Sequence, residues 1–317
     1  MMQGKNAIAL LITMFFIIAI TVAIGIGLKQ VNKAGAYVES EQLLLQSSMI
    51  FDDVLAMLKD SKELDYLLDD NNLSGDVFNS FLVGYSIPGI PLGDSGVIMS
   101  VELNSARSKI NINSFVDNNE SVEVLREYLN YYMVNSAYAD MILDATSGIK
   151  LDDSYRTGLF YENPQLYRDY IVSDEQLEEI NAFYMKTYGD NNLQKLNIPK
   201  LFYFGERKEE YKVDLNCATP EVLEMMLRDK NRALSLFPVV TYEEDESAMD
   251  VKNLCSSSVC NSLTKDEKEE LKKYNATCKI QPYLDVVVEV MQKEQTAKIS
   301  FEYDMKKKKG YNFVYEI

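Results

Sequence analysis

The sequence predicts an α+β protein in which a long N-terminal helix precedes a small antiparallel sheet, with a large, mostly helical segment inserted between the strands. Three observations predict this layout. An uncharged apolar stretch at residues 7–28 continues into an amphipathic pattern, most strand-like segments lie at the end of the chain, and helical spacing dominates residues 105–275. The length of 317 residues corresponds to about two domains of average size.

Composition excludes several classes of function. The chain has no histidine, so catalysis with a histidine base, histidine-ligated zinc and histidine-ligated haem are ruled out. A net charge of −17 would repel phosphate backbones, which argues against nucleic acid as a partner. Paired carboxylates could in principle hydrolyse glycosides, but the acidic residues fall mainly in polar, loop-like segments. We therefore predict a protein that is not an enzyme.

The N-terminal helix begins with 22 uncharged residues, 7–28, flanked by Lys5 and Lys29. As a helix this stretch would span about 33 Å, enough to cross a bilayer once. A cleaved signal ending near Ala36 is the alternative. Apolar residues then continue at helical spacing as far as Leu58, which predicts one helix of about 50 residues, or two helices joined by a hinge near Gly35.

Five segments have strand-like composition: 81–90, 97–103, 283–291, 297–303 and 311–315. The last three are separated by turn signals at 293–295 and 306–310, which predicts an antiparallel meander. The four lysines at 306–309 fit a solvated hairpin better than a patch that binds anionic lipid or nucleic acid.

Helical spacing occurs at 122–134, 137–143, 174–188, 220–228 and 265–274. Two of these helices have clear start signals. Ser173 with Gln176 resembles a capping box, and Thr219 with Pro220 places a cap residue before a proline at the first helical position.

A weak internal repeat lies within this helical segment. Its first copy contains Asn111 and Asn113, and its second contains Asp214 and Asn216. In each copy we expect the alternating apolar residues to be buried, while the polar side chains bond the nearby backbone and cap the next helix. The alternative is two unrelated loop-to-helix junctions.

The four cysteines indicate an oxidising compartment outside the cytoplasm. Cys255 and Cys260 flank a short polar stretch that suits a disulfide-closed loop, so of the three possible connectivities we expect Cys255–Cys260 with Cys217–Cys278. Four free thiols, or a zinc site without histidine, are the alternatives.

Together these segments resemble the K-type minor pseudopilin of type II secretion systems, the general secretion pathway protein K family. Residues 108–113 and 214–223 are similar to the two repeats of that family. Residues 161–164 and 173–177 are similar to the segment between the repeats, and residues 4–11 resemble a short prepilin leader followed by its apolar helix. The order of these motifs, which spans nearly the whole chain, carries the resemblance.

The resemblance implies a pilin-like fold, with a long N-terminal helix on a small antiparallel sheet and a large helical domain inserted between strands. The expected units are a leader at 1–4, the transmembrane part of the helix at 5–28, a helical stalk and first part of the body at 29–104, an inserted domain at 105–278 and terminal strands at 279–317.

The implied function is that of a non-enzymatic tip subunit, which starts and caps a periplasmic pseudopilus together with the I- and J-type minor pseudopilins. Prepilin peptidase would cut between Gly4 and Lys5, and methylation of the new terminus would follow, although the family usually has a small or apolar residue where Lys5 stands. Ala9 occupies the position at which major pilins carry a glutamate, as in the K-type pattern. The chain would be anchored in the bacterial inner membrane, with its body in the periplasm.

Some members of the family bind calcium in the inserted domain, so calcium is the one cofactor that the resemblance suggests. The candidate ligands are Asp117, Asn119, Glu120, Asp152, Asp153, Glu243, Glu244 and Asp245. A single-pass pilus-type scaffold or adhesin is an alternative function. A helix-hairpin-helix DNA receptor is another, but the glycine-rich hairpin that it requires is missing after Leu223.

Overall fold

The computed structural model of the chain describes residues 43–68, 74–92, 96–207, 211–237, 255–293 and 295–316. The expected leader at 1–4 and membrane segment at 5–28 lie outside these residues. Within the described ranges, no helix is both long enough and apolar enough to cross a lipid bilayer.

In the described ranges, the α-helices are α1 (residues 43–60), α2 (Lys62–Leu67), α3 (Gly75–Tyr85), α4 (Asn119–Tyr131), α5 (Ala137–Thr146), α6 (Leu159–Glu162), α7 (Asp174–Tyr188), α8 (Ile198–Leu201), α9 (Pro220–Leu227), α10 (Lys230–Ser235), α11 (Ser257–Ser262) and α12 (Lys265–Lys272). Two 3-10 helices span Ile112–Asp117 and Asn192–Lys195. The strands are β1 (Ile87–Leu92), β2 (Val97–Ser105), β3 (Ile110–Asn111), β4 (Phe202–Tyr203), β5 (Val213–Asp214), β6 (Ala276–Thr277), β7 (Tyr283–Gln292), β8 (Gln295–Asp304) and β9 (Lys309–Glu316).

Helix α1 packs one face against the sheet. The buried apolar side chains on this face recur at helical spacing: Leu43, Phe51, Val54 and Leu58. The ring of Phe51 meets the rings of Phe301 on β8 and Phe313 on β9 edge-on, at centroid distances of 5.3 and 5.5 Å. The helix ends where the hydroxyl of Ser61 accepts a hydrogen bond from the Leu64 amide and so caps α2.

The strand predicted at 81–90 is wrong in its first half, because residues 81–85 form the end of α3. Ser74 caps this helix by accepting the Val77 amide. Phe78, Phe81 and Leu82 follow at helical spacing and are all buried. Residues 81–85 have strand-like composition but are helical, because the Ser74 cap and the burial of their apolar face in the core stabilise the helix. Strand β1 starts only at Ile87.

The main sheet has five antiparallel strands in the order β1-β2-β7-β8-β9. The predicted terminal meander is thus confirmed. Strands β2 and β7 are neighbours, with Ser105 opposite Leu284, although 178 residues separate them along the chain (residues 106–283). The α+β fold class, with a mostly helical segment inserted between adjacent strands, is confirmed.

The described residues form two hydrophobic cores. One joins α1, α2 and α3 to the sheet, where Leu284, Val286, Val288 and Val290 of β7 are fully buried. The other lies within the inserted segment, between residues 110 and 276. Each core buries the apolar stripe of its own helices, so the fold contains a pilin-like body and an insertion with a core of its own. The two meet at the Cys217–Cys255 disulfide of the insertion, which packs into the core of the body.

Candidate functional site

The first copy of the repeat is a short parallel strand pair followed by a polar turn. Strand β3 pairs with β4, and the Asn111 side chain then accepts the Asn113 amide at 3.1 Å. Asn113, which is 1% exposed, accepts the Ile171 amide at 2.8 Å and donates to the carbonyls of Ile171 and Gly205 at 3.0 and 2.9 Å. This one amide group therefore ties three parts of the inserted segment together.

The second copy has the same geometry. Strand β5 pairs in parallel with β6, and the Asp214 carboxylate accepts the Asn216 amide at 3.0 Å, as Asn111 does for Asn113. The Asn216 side chain donates to the Cys278 carbonyl at 2.9 Å, just as the Asn113 side chain donates to carbonyls that are distant in sequence. The two copies are therefore equivalent units rather than unrelated junctions.

Thr219 and Pro220 begin α9 as the sequence predicts. The Thr219 hydroxyl accepts the Val222 amide at 3.2 Å and donates to the Lys200 carbonyl at 2.8 Å, and Pro220 occupies the first turn. The two units also contact each other, since the amides of Asp214 and Thr219 donate to carbonyls in the segment that enters the first unit: Arg107 and Ser108, at 2.8 and 3.1 Å.

Asp214 is a fully buried carboxyl group that has no cationic partner in the described part of the chain. Burial raises its pKa to about 6, against hydrogen bonds from Gln281, Asn216 and the Asn216 backbone that lower the pKa. The equivalent residue of the first unit is the neutral Asn111. The second unit therefore carries an ionisable group at a position where the first does not.

A buried ion pair, which sequence reasoning missed, lies where the insertion leaves the sheet. The Arg107 guanidinium donates to the Glu302 carboxylate on β8 at 2.7 Å, and both side chains are 2% exposed. Tyr203 on β4 donates to the other Glu302 oxygen at 2.5 Å. Glu302 lies 195 positions after Arg107 and 99 positions after Tyr203, so no local sequence pattern could have linked the three residues.

Three tyrosines surround the same guanidinium. The Arg107 carbon Cζ lies 3.9 Å from the ring centroid of Tyr283, 4.4 Å from that of Tyr211 and 6.0 Å from that of Tyr203. Burial raises the pKa of Tyr203 well above its usual value, so this hydroxyl is a hydrogen-bond donor at neutral pH. The cluster of Arg107, Glu302 and these tyrosines, which we call the junction cluster, joins both ends of the insertion to the sheet.

All four predicted cysteines are in disulfides, but the predicted pairing is wrong. The bonds join Cys217 to Cys255 and Cys260 to Cys278, with Cα–Cα distances of 4.0 and 5.7 Å. Cys255 precedes the cap of α11 and Cys260 lies on that helix, so a turn of helix separates them. The Ser256 amide donates to the Asn216 carbonyl at 2.8 Å, which brings Cys255 beside Cys217.

The predicted calcium ligands fall into three groups: Asp117, Asn119 and Glu120; Asp152 and Asp153; and Glu243, Glu244 and Asp245. The first group spans the end of a 3-10 helix and the start of α4, the second lies in an exposed turn, and the third lies outside the described residues. In the part of the chain that the structure describes, no three histidine, cysteine or acidic side chains lie close enough to hold a metal ion. Calcium binding stays a prediction from sequence.

The predicted cleavage site at Gly4 and Lys5, and Ala9 at the pilin glutamate position, lie outside the described residues. The same holds for the apolar stretch at 7–28. The structure therefore tests none of these expectations, which rest on the sequence alone.

Helices α9 and α10 form a short hairpin, the geometry that a helix-hairpin-helix DNA receptor would use. Its turn contains Arg228, which has a left-handed backbone and an ion pair to Glu127 at 2.8 Å. The Asp229 carboxylate caps α10 by accepting the Arg232 amide at 3.0 Å. A carboxylate therefore occupies the helix N-terminus at which a DNA phosphate would bind, and this geometry disfavours DNA.

Helix α1 also has an exposed apolar face. Leu45 and Met49, one helical turn apart, are 70% and 69% exposed, while Phe51 and Val54 on the opposite face are buried. Helix α1 therefore carries apolar side chains on both faces, and only one of these faces is covered by the described residues.

No family model matches the sequence, and none of the curated proteins matches it either. Among solved structures, a chain in the crystal structure of the GspK-GspI-GspJ complex, from the type 2 secretion system of enterotoxigenic Escherichia coli, is similar, with a TM-score of 0.50 and 15% sequence identity. The similarity covers 90% of this chain and 98% of that chain. At this level of identity the likeness is one of fold, and the fold of this chain is that of a subunit of the GspK-GspI-GspJ complex.

Proposed function

We propose that this chain is a K-type minor pseudopilin of a type II secretion system, with no catalytic role, and that it forms the tip of the pseudopilus. The observation that carries the proposal is the insertion of a large helical segment between β2 and β7 of a pilin-like sheet. A chain of the GspK-GspI-GspJ complex is similar in fold over 90% of the present chain. The motif order in the sequence supports the same function independently.

The exposed face of α1 supports assembly with other subunits. Leu45 and Met49 form an exposed apolar pair on the side of α1 away from Phe51 and Val54. By analogy with the complex of the similar chain, the proposed partners are I- and J-type minor pseudopilins, and their N-terminal helices would pack on this face.

The remaining parts of the proposal come from the sequence. Residues 5–28 would anchor the chain in the inner membrane, with the body in the periplasm. Prepilin peptidase would cut after Gly4. An apolar Ala9 fits a tip subunit, because such a subunit has no neighbour above it whose amino terminus needs a glutamate, and an unpaired carboxylate in lipid costs several kcal/mol.

Co-purification tests the proposed assembly. The full chain would be produced together with the I- and J-type pseudopilins of the same genome, extracted in detergent and separated by size exclusion. We expect one peak that contains all three proteins. Partners that associate with each other while this chain elutes alone would contradict the tip role and leave a scaffold or adhesin.

A substitution on α1 locates the contact. Leu45→Glu with Met49→Glu should reduce co-elution about tenfold or more, because charges would replace two apolar side chains that the proposed complex buries. Leu151→Glu is the matched control, since Leu151 is a fully exposed apolar residue of the inserted segment. Mass spectrometry of the extracted chain should find Lys5 as the first residue. An intact Met1 or a terminus near Tyr37 would argue against pilin-type processing.

A further inference from the structure

A cleft of about 350 Å³ lies on the seam between the pilin-like body and the inserted segment. The body contributes the start of α3 and the turn between β8 and β9, and the insertion contributes α11, α12 and the residues after β6. The seam is tightly closed on one side, because a Cβ atom on Gly75 of α3 would lie 2.6 Å from the Ser257 backbone nitrogen. The cleft is therefore a built feature of the fold.

Three lysines line this cleft, and its lining contains no acidic residue. They are Lys268 on α12, Lys279 after β6 and Lys306 in the turn between β8 and β9. Hydroxyl and amide groups of Ser74, Ser257 and Asn261 also line it. We call this site the lysine cleft. In a chain of net charge −17, a concave site lined only by basic and neutral residues reverses the average charge of the surface.

In the lysine run at 306–309, three ammonium groups have partners within the protein, and Lys306 is the one left to contact a ligand. Lys307 pairs with Asp304 at 3.4 Å and Lys308 with Asp65 at 2.8 Å. The Lys309 ammonium lies 5.3 Å from the ring centroid of Tyr311. Lys306 forms no ion pair among the described residues and lines the cleft instead.

The other two lysines of the cleft, Lys268 and Lys279, can also contact a ligand. On α12 the Lys272 ammonium pairs with Glu269 at 2.6 Å, whereas the described residues offer no carboxylate partner to Lys268 or to Lys279. Two acids lie behind the lining. Asp76 accepts the Ser257 amide and the Ser256 hydroxyl at 3.1 and 3.3 Å, and the buried Asp214 accepts the Asn216 side chain and the Gln281 amide at 3.0 and 2.8 Å. Both carboxylates are thus engaged in hydrogen bonds, and neither lines the cleft.

We propose that the lysine cleft binds a ligand with two or more oxyanion groups, either phosphates or the carboxylates of an acidic peptide. Three ammonium groups without carboxylate partners carry more positive charge than a single carboxylate would neutralise. The hydroxyl and amide groups beside them can donate hydrogen bonds to oxygen acceptors. The volume is in the range of sites for small ligands rather than single ions. The proposal does not depend on the secretion role.

Binding is measured on the full chain in detergent micelles. Equilibrium dialysis with radiolabelled pyrophosphate tests the phosphate source, and fluorescence anisotropy of a labelled tetraglutamate peptide tests the carboxylate source. We expect saturable binding of at least one probe, weakened by added NaCl because the contacts are ionic. The probe that binds more tightly identifies the source of the oxyanion.

The triple variant Lys268→Gln, Lys279→Gln, Lys306→Gln should weaken binding by about tenfold or more. The matched control, Lys59→Gln, Lys186→Gln, Lys195→Gln, removes the same charge elsewhere and should change affinity by less than about twofold. Asn261→Glu places a carboxylate in the cleft and should weaken binding without removing a lysine. The proposal is overturned if neither probe binds saturably, or if the control loses as much affinity as the cleft variant.

Discussion

Arg107 and Glu302 show how single residues hold the inserted segment on the sheet. The pair is buried, and Tyr203 satisfies the second carboxylate oxygen. A buried ion pair of this kind adds little net stability over an apolar pair, but removal of one partner leaves an isolated charge in a medium of low dielectric constant. The junction cluster therefore connects the insertion to the sheet specifically, and its effect on the free energy of unfolding shows when one partner of the ion pair is removed.

Glu302→Gln should lower the free energy of unfolding by about 3 kcal/mol, because the Arg107 guanidinium would stay buried without a counter-charge. Urea unfolding of the full chain in detergent, followed by circular dichroism, measures the change. Glu316→Gln is the matched control, since it breaks the half-exposed pair with Lys298 and should cost less than about 1 kcal/mol. Equal losses in the two variants would contradict a buried, charge-dependent junction.

Asp214 makes stability depend on pH. Its pKa in the folded protein is about 6, above the usual 3.8 of an aspartate, so the folded state holds the proton more tightly than the unfolded chain. The stabilisation that follows is complete below about pH 4 and is lost as the pH rises to about 6. A shift of about two units corresponds to about 3 kcal/mol.

Asp214→Asn should remove this dependence. The unfolding free energy of the native chain, minus that of Asp214→Asn, should fall by about 3 kcal/mol between pH 4 and pH 7. Asn111→Asp places a carboxyl group at the equivalent position of the first unit and should create a dependence of the same sign. Parallel stability curves for the native chain and Asp214→Asn would refute the assignment.

At the scale of elements, the sequence predicts best what short-range contacts decide. Helix α7 begins and ends where the pattern predicts, because Ser173 caps it and Gly189 ends it in a left-handed conformation. Tertiary packing overrode the local pattern in α3, where Phe81 and Leu82 complete a buried helical face. The Asn-x-Asn units could be found from sequence, but their remote partners, such as Ile171, could not.

The disulfides depend on contacts between distant elements, and this explains the wrong pairing. Parallel pairing of β5 with β6 sets Asn216 beside Cys278 and Ser256, so the neighbours of each cysteine come from other parts of the chain. A rule based on short sequence spacing favours Cys255 with Cys260, which the intervening cap of α11 keeps apart.

Non-reducing tryptic mapping distinguishes the connectivities. No lysine or arginine lies between Cys255 and Cys260, so both cysteines stay in the peptide 253–265. The observed pairing should join this peptide to 213–228 and to 274–279 in one three-peptide species, and fragmentation between Ser256 and Val259 should assign each bond. A peptide 253–265 with an internal disulfide, and a separate pair of the other two peptides, would contradict the structure.

At the scale of the whole molecule, the insertion interrupts a sheet that is complete without it. Strands β2 and β7 pair along their full length from Val97 opposite Gln292 to Ser105 opposite Leu284. On β7 the residues that face the helices of the body are fully buried, whereas the alternate residues on the other face, including Asp285 and Glu289, are only partly buried. The apolar cover of the sheet therefore comes mainly from α1, α2 and α3, and the insertion adds the Cys217–Cys255 disulfide to this core.

This geometry predicts that the body folds alone. Replacement of residues 106–283 by Asn-Gly would join Ser105 to Leu284 through a two-residue hairpin turn, which suits paired antiparallel strands. We expect the shortened chain to retain its strand signal in circular dichroism and to melt cooperatively. Loss of cooperative melting would mean that the body needs more of the insertion than its own helices replace, starting with the Cys217–Cys255 disulfide that packs into its core.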